Sequence, residues 1–377
     1  MATWFSASAV VVPIASAFNI AGGERGWITA AVQCGFVTAA VASAAIALAD
    51  WLEPRTLMRI GMMLAAAANA AILVVHTPPL LFVLRFLTGA GLAFVYPPSV
   101  RLLTAWFPHR RGIVTGIAVG ALTIGSFSPH LFSGDLPWRG VVLVSSVSAL
   151  LSVPLISIVT LPPAYARAGR FDVRALGAIL SNRNVMLADA GYWGHMWELY
   201  AVWAWGPVFY AASLQAAHVR GPAGILIFLF FGIMGAAGCV VAGILGDRFG
   251  RAQVAGAAMA VSGTISFAVG YAFGANPWLV SVLFAVWGFA VVADSAQFSA
   301  AVTEFAEPQY AGTALTFQMG VGFLITMLTI WSIGALQPVL GWGRAFMILS
   351  AGPAAGVYAM SVLYLRLARA QGRQQLR

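Results

Sequence analysis

Apolar residues dominate this chain in runs of about 20, the length an α-helix needs to cross the hydrocarbon core of a bilayer. Short polar breaks separate twelve such runs, predicted over residues 3–20, 27–49, 56–76, 79–105, 112–133, 139–161, 185–214, 222–245, 252–273, 278–302, 311–335 and 344–366. Most connections are a few residues long, as antiparallel neighbours in a bundle require. The exception, residues 162–184, carries Arg167, Arg170, Asp172, Arg174 and Arg183 and reads as an amphipathic linker. The expected organisation is therefore all-α and integral to the membrane: a six-helix bundle over 1–161, the linker, and a second six-helix bundle over 185–377 with a short basic tail. The first run begins almost at Met1 and is short for a bilayer. It is expected to be a truncated helix, or else the native start lies upstream; no signal-peptide pattern precedes it.

Composition sharpens this picture. Of 377 residues, 61% are hydrophobic and only 8% charged, against about a quarter charged in a soluble domain. The net charge of +9 comes from arginine alone, since lysine is absent. Those arginines fall in breaks between apolar runs and form no basic face interleaved with aromatics, which argues against a nucleic-acid partner. Arg55, Arg59, Arg101, Arg110, Arg111, Arg167, Arg170, Arg174, Arg183, Arg248, Arg251 and the arginines from 366 to 377 share one side of the predicted bundle. Only Arg25, Arg139, Arg220 and Arg344 fall on the other. The positive-inside rule makes the first side cytoplasmic, with the carboxyl terminus inside. Absent lysine and abundant Ala and Gly point to a GC-rich bacterial genome, hence a bacterial inner membrane.

The halves also resemble each other. The stretch from Gly35 to Asp50 aligns without gaps on Gly232 to Asp247, with both aspartates coinciding, and Trp138-Arg139 opens the sixth run as Trp342-Gly-Arg344 opens the twelfth. Repeats of this kind enclose a central cavity and work by rocking one half on the other.

Charges inside a bilayer are expensive, about 2.5 to 3.5 kcal/mol at its centre by insertion measurements, so each one needs a role. Arg85 in the fourth run and Glu198 in the seventh lie at one predicted depth, in opposite halves, and form a candidate ion pair that opens and closes. His195 precedes Glu198 by three residues and is a candidate protonation partner, its ordinary pKa being about 6.5. The plainer reading is a hydrogen-bonded pair fastening the seventh helix to its neighbours. Asp294 and Gln297, three apart in the tenth run, either shape the lower cavity or brace a gate. Trp4, Tyr96, Tyr192, Trp193, Trp197 and Tyr200 are candidate wall residues for stacking or cation–π contact. Cys34 and Cys239 sit in apolar runs and imply no disulfide or metal site. No phosphate-binding loop, metal-ligand spacing or Ser–His–Asp set is present, so neither a cofactor nor enzyme chemistry is expected.

One loop motif is specific. Gly243, Asp247, Arg248, Gly250 and Arg251 form G-x-x-x-D-R-x-G-R at a predicted membrane boundary. It resembles the loop between the second and third helices of a half in the major facilitator superfamily. Arg85-Phe-Leu-Thr-Gly89-Ala-Gly91 resembles that family's fourth-helix pattern, and Gly116 to Gly125 its glycine-rich fifth helix, with Ala121 and Ile124 departing from it. The first-half counterpart keeps Asp50 but loses the D-R-x-G-R order. Ser128 to Leu131 and Gly194 to Tyr200 resemble permeases near the cyanate and nitroimidazole group. The resemblance implies a monomeric, proton-coupled secondary transporter of a small organic, possibly anionic, solute. In it Asp50, Asp247, Arg248 and Arg251 latch the cytoplasmic gate. A transporter-like sensor that binds a ligand without moving it is the alternative.

Overall fold

The computed structural model describes residues 1–21, 24–46, 48, 52–107, 111–162, 175–307 and 309–375, with the backbone alone at 111 and 371–375. Among them every regular element is helical. In chain order these are α1 (Ala2–Phe5), α2 (Val11–Ala17), α3 (Trp27–Ala45), α4 (Pro54–Ala71), α5 (Pro78–Ala93), α6 (Tyr96–Trp106), α7 (Arg111–Phe127), α8 (Trp138–Ser157) and α9 (Leu176–Ser181). There follow α10 (Arg183–Ala216), α11 (Ala223–Ile227), α12 (Met234–Phe249), α13 (Arg251–Ala268), α14 (Pro277–Ala293), α15 (Ser295–Phe305), α16 (Ala311–Met347) and α17 (Ala351–Gln375). Local chemistry sets several starts. Pro54, Pro78 and Pro277 open α4, α5 and α14, where the missing N–H would have had no helical partner. Asn182 caps α10 by accepting from the Asn184 and Val185 amides.

Eight helical stretches among the described residues are long and apolar enough to cross a membrane. Two of the differences from the twelve runs have a structural cause. The 60-residue stretch Ala311–Ala370 is continuous in helical assignment but bends at Gly341, whose φ of 75° interrupts α16. The first run is not one helix: α1 and α2 are joined by a turn over 6–10. The fourth and tenth runs, expected to be continuous, each break near the middle, at Phe94–Val95 and at Asp294. Pro97 and Pro98 explain the first of these breaks, because neither supplies the amide that a carbonyl one turn back needs. Of the linker expected over 162–184, residues 163–174 lie outside the described residues, and α9 lies within its remainder.

Within the first half α3 packs on α5, α5 on α4, and α4 on α8; within the second, α10 and α13 pack on α17, and α10 on α16. The halves meet along two seams, α7 against α12 and α3 against α16. Outward faces carry stripes such as Leu324, Leu328 and Trp331 on α16, exposed as a lipid-facing surface would be.

Candidate functional site

Between the halves lies a cavity of about 480 Å³, within the rough 300–1,000 Å³ of small-molecule sites. It runs from an aromatic end near the middle of the bundle to Leu57, Arg101 and Gly312 at the arginine-rich end. Beyond the aromatic end the α3–α16 seam closes: Gly26 abuts the Ile330 carbonyl, which also accepts a 2.9 Å hydrogen bond from Trp205 Nε1.

One face of α10 supplies much of the wall. Tyr192, His195, Met196, Leu199, Tyr200 and Trp203 all line the cavity, a spacing that keeps them within one arc of a 3.6-residue helix. Trp4, Phe5, Phe36 and Phe323 complete the aromatic end. Trp4 lies 5.1 Å from Phe36 and 5.7 Å from Tyr200 between ring centroids, and Phe36 lies 5.0 Å from Phe323. Tyr96, at the break of the fourth run, lines the cavity with Pro97 and Pro98. Ser295 does so at the break of the tenth.

His195 links the cavity to a buried acid. Its Nε2 lies 2.8 Å from the Ser295 hydroxyl, and its Nδ1 lies 2.8 Å from Asp294 Oδ1. The expected His195–Glu198 partnership is not formed. At about 100° per residue, position 198 falls some 60° off His195 on the side away from the cavity arc. There Glu198 accepts from Ser262 Oγ and Trp287 Nε1, each at 2.8 Å, which ties α10 to α13 and α14.

Nor do Arg85 and Glu198 pair. Arg85 is fully buried and spends its donors inside the first half. Nε reaches the Ile28 carbonyl at 3.0 Å and Nη1 reaches Thr3 O at 2.9 Å and Asn69 Oδ1 at 3.2 Å, while Nη2 donates to Trp4 O. It thus holds the carbonyls of α1, just ahead of the turn that splits the first run. Asp294 and Gln297 also diverge. Gln297 donates to the Ala242 carbonyl at 3.0 Å and accepts from Arg251 at 3.2 Å. Trp193 and Trp197 point away from the cavity and donate to the Gln318 and Ile348 carbonyls.

The loop motif forms its own site at the arginine-rich end. Gly250 adopts φ 95°, open to glycine alone at little cost, and reverses the chain between α12 and α13. Arg251 then contacts Asp247 at 3.0 Å, Glu304 at 3.2 Å and Gln297 at 3.2 Å. A Cβ on Gly112 would collide with the Asp247 carboxylate, so Asp247 rests on the first turn of α7, where a helix favours negative charge. Gly243 packs on the Gly112 carbonyl, and the Arg248 guanidinium lies 5.1 Å from the Phe249 ring centre. Asp50 lies outside the described residues.

Trp203, Phe36, Phe323 and Ser295 were not singled out from the sequence. The α10 arc through His195 would have found Trp203; the others carry no local signal. Among the described residues no group of His, Cys, Asp and Glu gathers as a metal site, and Cys34 and Cys239 are free.

A profile described as Major Facilitator Superfamily matches residues 1–329. The chain is 25% identical over 307 residues to the 4-hydroxybenzoate transporter PcaK of Pseudomonas putida, across 70% of this chain and 66% of that one. It is 25% identical over 334 residues to an uncharacterized MFS-type transporter of Mycobacterium tuberculosis (strain CDC 1551 / Oshkosh), across 84% and 72%. It is 26% identical over 173 residues to the MFS-type transporter pytF of Aspergillus terreus (strain NIH 2624 / FGSC A1156), across 44% and 56%. The match spans just under two thirds of the Pseudomonas relative's length.

Proposed function

We propose that this chain, which belongs to the major facilitator superfamily, is a secondary active transporter that moves a small organic anion by alternating access, driven by protons. The observation that carries this reading is the cavity between the halves, closed toward one end of the bundle and extending to the other, with His195 in its wall and Asp294 behind it. A relative named for 4-hydroxybenzoate transport supports an organic acid as cargo. On the positive-inside rule the arginine-rich end is cytoplasmic, so the state described faces inward across the bacterial inner membrane.

Each polar group then has a place in the cycle. His195 and Asp294 hold the coupled proton, because an imidazolium between a buried carboxylate and the cavity senses both the proton and the anion. Glu198 and Arg85, whose partners are all internal, brace the two six-helix units that rock past each other. Asp247, Arg248 and Arg251, with Asp50 as the first-half counterpart, latch the cytoplasmic end.

Proteoliposomes with an alkaline interior and labelled 4-hydroxybenzoate outside test the reading. Accumulation that a protonophore abolishes is expected. Binding without gradient-dependent flux would instead identify a sensor.

A further inference from the structure

We propose that the cytoplasmic gate is one-sided: cargo passes between the inner halves of α3 and α16, while the inner end of the α7–α12 seam stays shut as the hinge on which that gap opens. The proposal rests on reading the structure as the inward-facing state of a transporter.

The first observation is how the two seams differ. Gly112, Gly116 and Gly120 recur every fourth residue of α7 and so share one face. That face lies directly on α12. A Cβ added at Gly120 would stand 3.3 Å from the Ala236 Cβ, one at Gly116 would stand 2.6 Å from the Cys239 carbonyl oxygen, and one at Gly112 would strike the Asp247 carboxylate. Gly243 answers from the other side, where a Cβ would stand 2.8 Å from the Gly112 carbonyl oxygen. Backbones this close leave no room for a side chain between them as far as the first turn of α7. Parting them would also take Asp247 away from the positive end of that helix.

The other seam is built differently. α3 and α16 touch at Phe36 and Phe323, whose ring centroids are 5.0 Å apart. From there inward the cavity lies between them, lined by Val37, Ala40 and Ala44 on α3 and by Leu315, Met319 and Gly320 on α16. A Cβ on Gly320 would meet nothing within 4 Å. One seam is therefore closed to its inner end, and the other is parted there.

The second observation comes from the repeat. Continuing the ungapped match of Gly35–Asp50 on Gly232–Asp247 places Ile46 on Gly243, Glu53 on Gly250 and Pro54 on Arg251. Each replacement removes a working part of the second-half loop. Ile46 carries the bulk that Gly243 lacks, and it is 63% exposed where its counterpart packs on the facing helix. Glu53 has φ −57° in place of the positive φ of Gly250. Pro54 opens α4 and offers no guanidinium where Arg251 holds Asp247 and Glu304. The complete latch belongs to the closed seam, and the parted seam has the loop without one.

The test is pulsed electron-spin distance measurement on the full chain in nanodiscs, with Cys34→Ala and Cys239→Ala as background. One pair of spin labels, on Ile46→Cys and Gly312→Cys, spans the gap; a second, on Ile117→Cys and Ile244→Cys, spans the hinge. All four positions are exposed, so the labels disturb no packing. The gap pair should show two populations separated by about 5 Å or more, the order of the larger helix displacements in switching proteins. The hinge pair should show a single narrow one. Two populations across the hinge, or a single narrow one across the gap, would overturn the proposal. The distances need no cargo, so absent flux of 4-hydroxybenzoate would remove the transport reading and leave this result to stand or fall by itself.

Discussion

Nδ1 of His195 lies 2.8 Å from Oδ1 of Asp294, and Asp294 is the residue at which α14 gives way to α15. An imidazole protonated on Nδ1 donates to Asp294 and accepts from the hydroxyl of the cavity-lining Ser295 at Nε2, so the ring spans the buried acid and the cavity wall. Asp294→Asn removes the carboxylate that His195 Nδ1 faces. It should reduce pH-gradient-driven accumulation by about 5- to 150-fold, the usual range of site-to-site coupling. Counterflow, which needs no net proton movement, should persist in the same proteoliposomes. Equal loss of both activities would reduce Asp294 to a brace for the helix break.

Glu198→Gln should behave differently. Its carboxylate receives hydrogen bonds from Ser262 and Trp287 and does not line the cavity. The amide can accept from Trp287 Nε1 and donate to Ser262 Oγ, which then donates to the Met259 carbonyl, so two charge-assisted bonds become neutral ones at a cost of about 1 kcal/mol. The variant should melt lower than the parent and still accumulate substrate under a pH gradient. Abolished gradient-driven transport with intact counterflow would return the proton role to Glu198.

The contrast between these acids also marks how far the sequence could be read. The loop from Gly243 to Arg251 was legible because its chemistry is local: a glycine at positive φ, and an Asp four residues before an Arg. The break at Phe94–Val95 was foreshadowed by Pro97 and Pro98. The break at Asp294 was not, since neither proline nor glycine stands there. Depth alone matched Arg85 to Glu198, but depth leaves the direction around the helix open, and each side chain turns into its own half. Periodicity through His195 would have been the better guide, because positions 192, 195, 196, 199, 200 and 203 share one arc. Arg85's real partners are backbone carbonyls of Thr3, Trp4 and Ile28, which no side-chain pattern encodes.

Those carbonyls make Arg85 a stability determinant. Arg85→Leu should strand several buried acceptors, at about 1–3 kcal/mol each, and lower the melting temperature in detergent substantially. Arg85→Lys should also destabilise, because a single ammonium cannot reproduce the planar fork that spans three carbonyls and Asn69. A lysine variant melting with the parent would mean that charge alone, without the fork, holds the amino-terminal segment.

At the arginine-rich end, Asp247 and Gly112 join the two halves through a contact that tolerates no side chain on the glycine. Gly112→Val should drive α12 away from the first turn of α7 and weaken the closed seam. Arg251→Gln should loosen it from the other direction by freeing Asp247 and Glu304. These side chains are 40% and 51% exposed, so their pairing with Arg251 is worth only about 0–1 kcal/mol of stability, and the melting temperature of Arg251→Gln should scarcely move. What should move is access. A cysteine placed at Gly312, which lines the cavity at this end, should react faster with a membrane-impermeant thiol reagent in both variants than in the parent, and substrate accumulation should fall. Unchanged labelling together with lost transport would show that the motif acts on some step other than the opening of this end, since the contact predicts that transport falls because the seam stays loose.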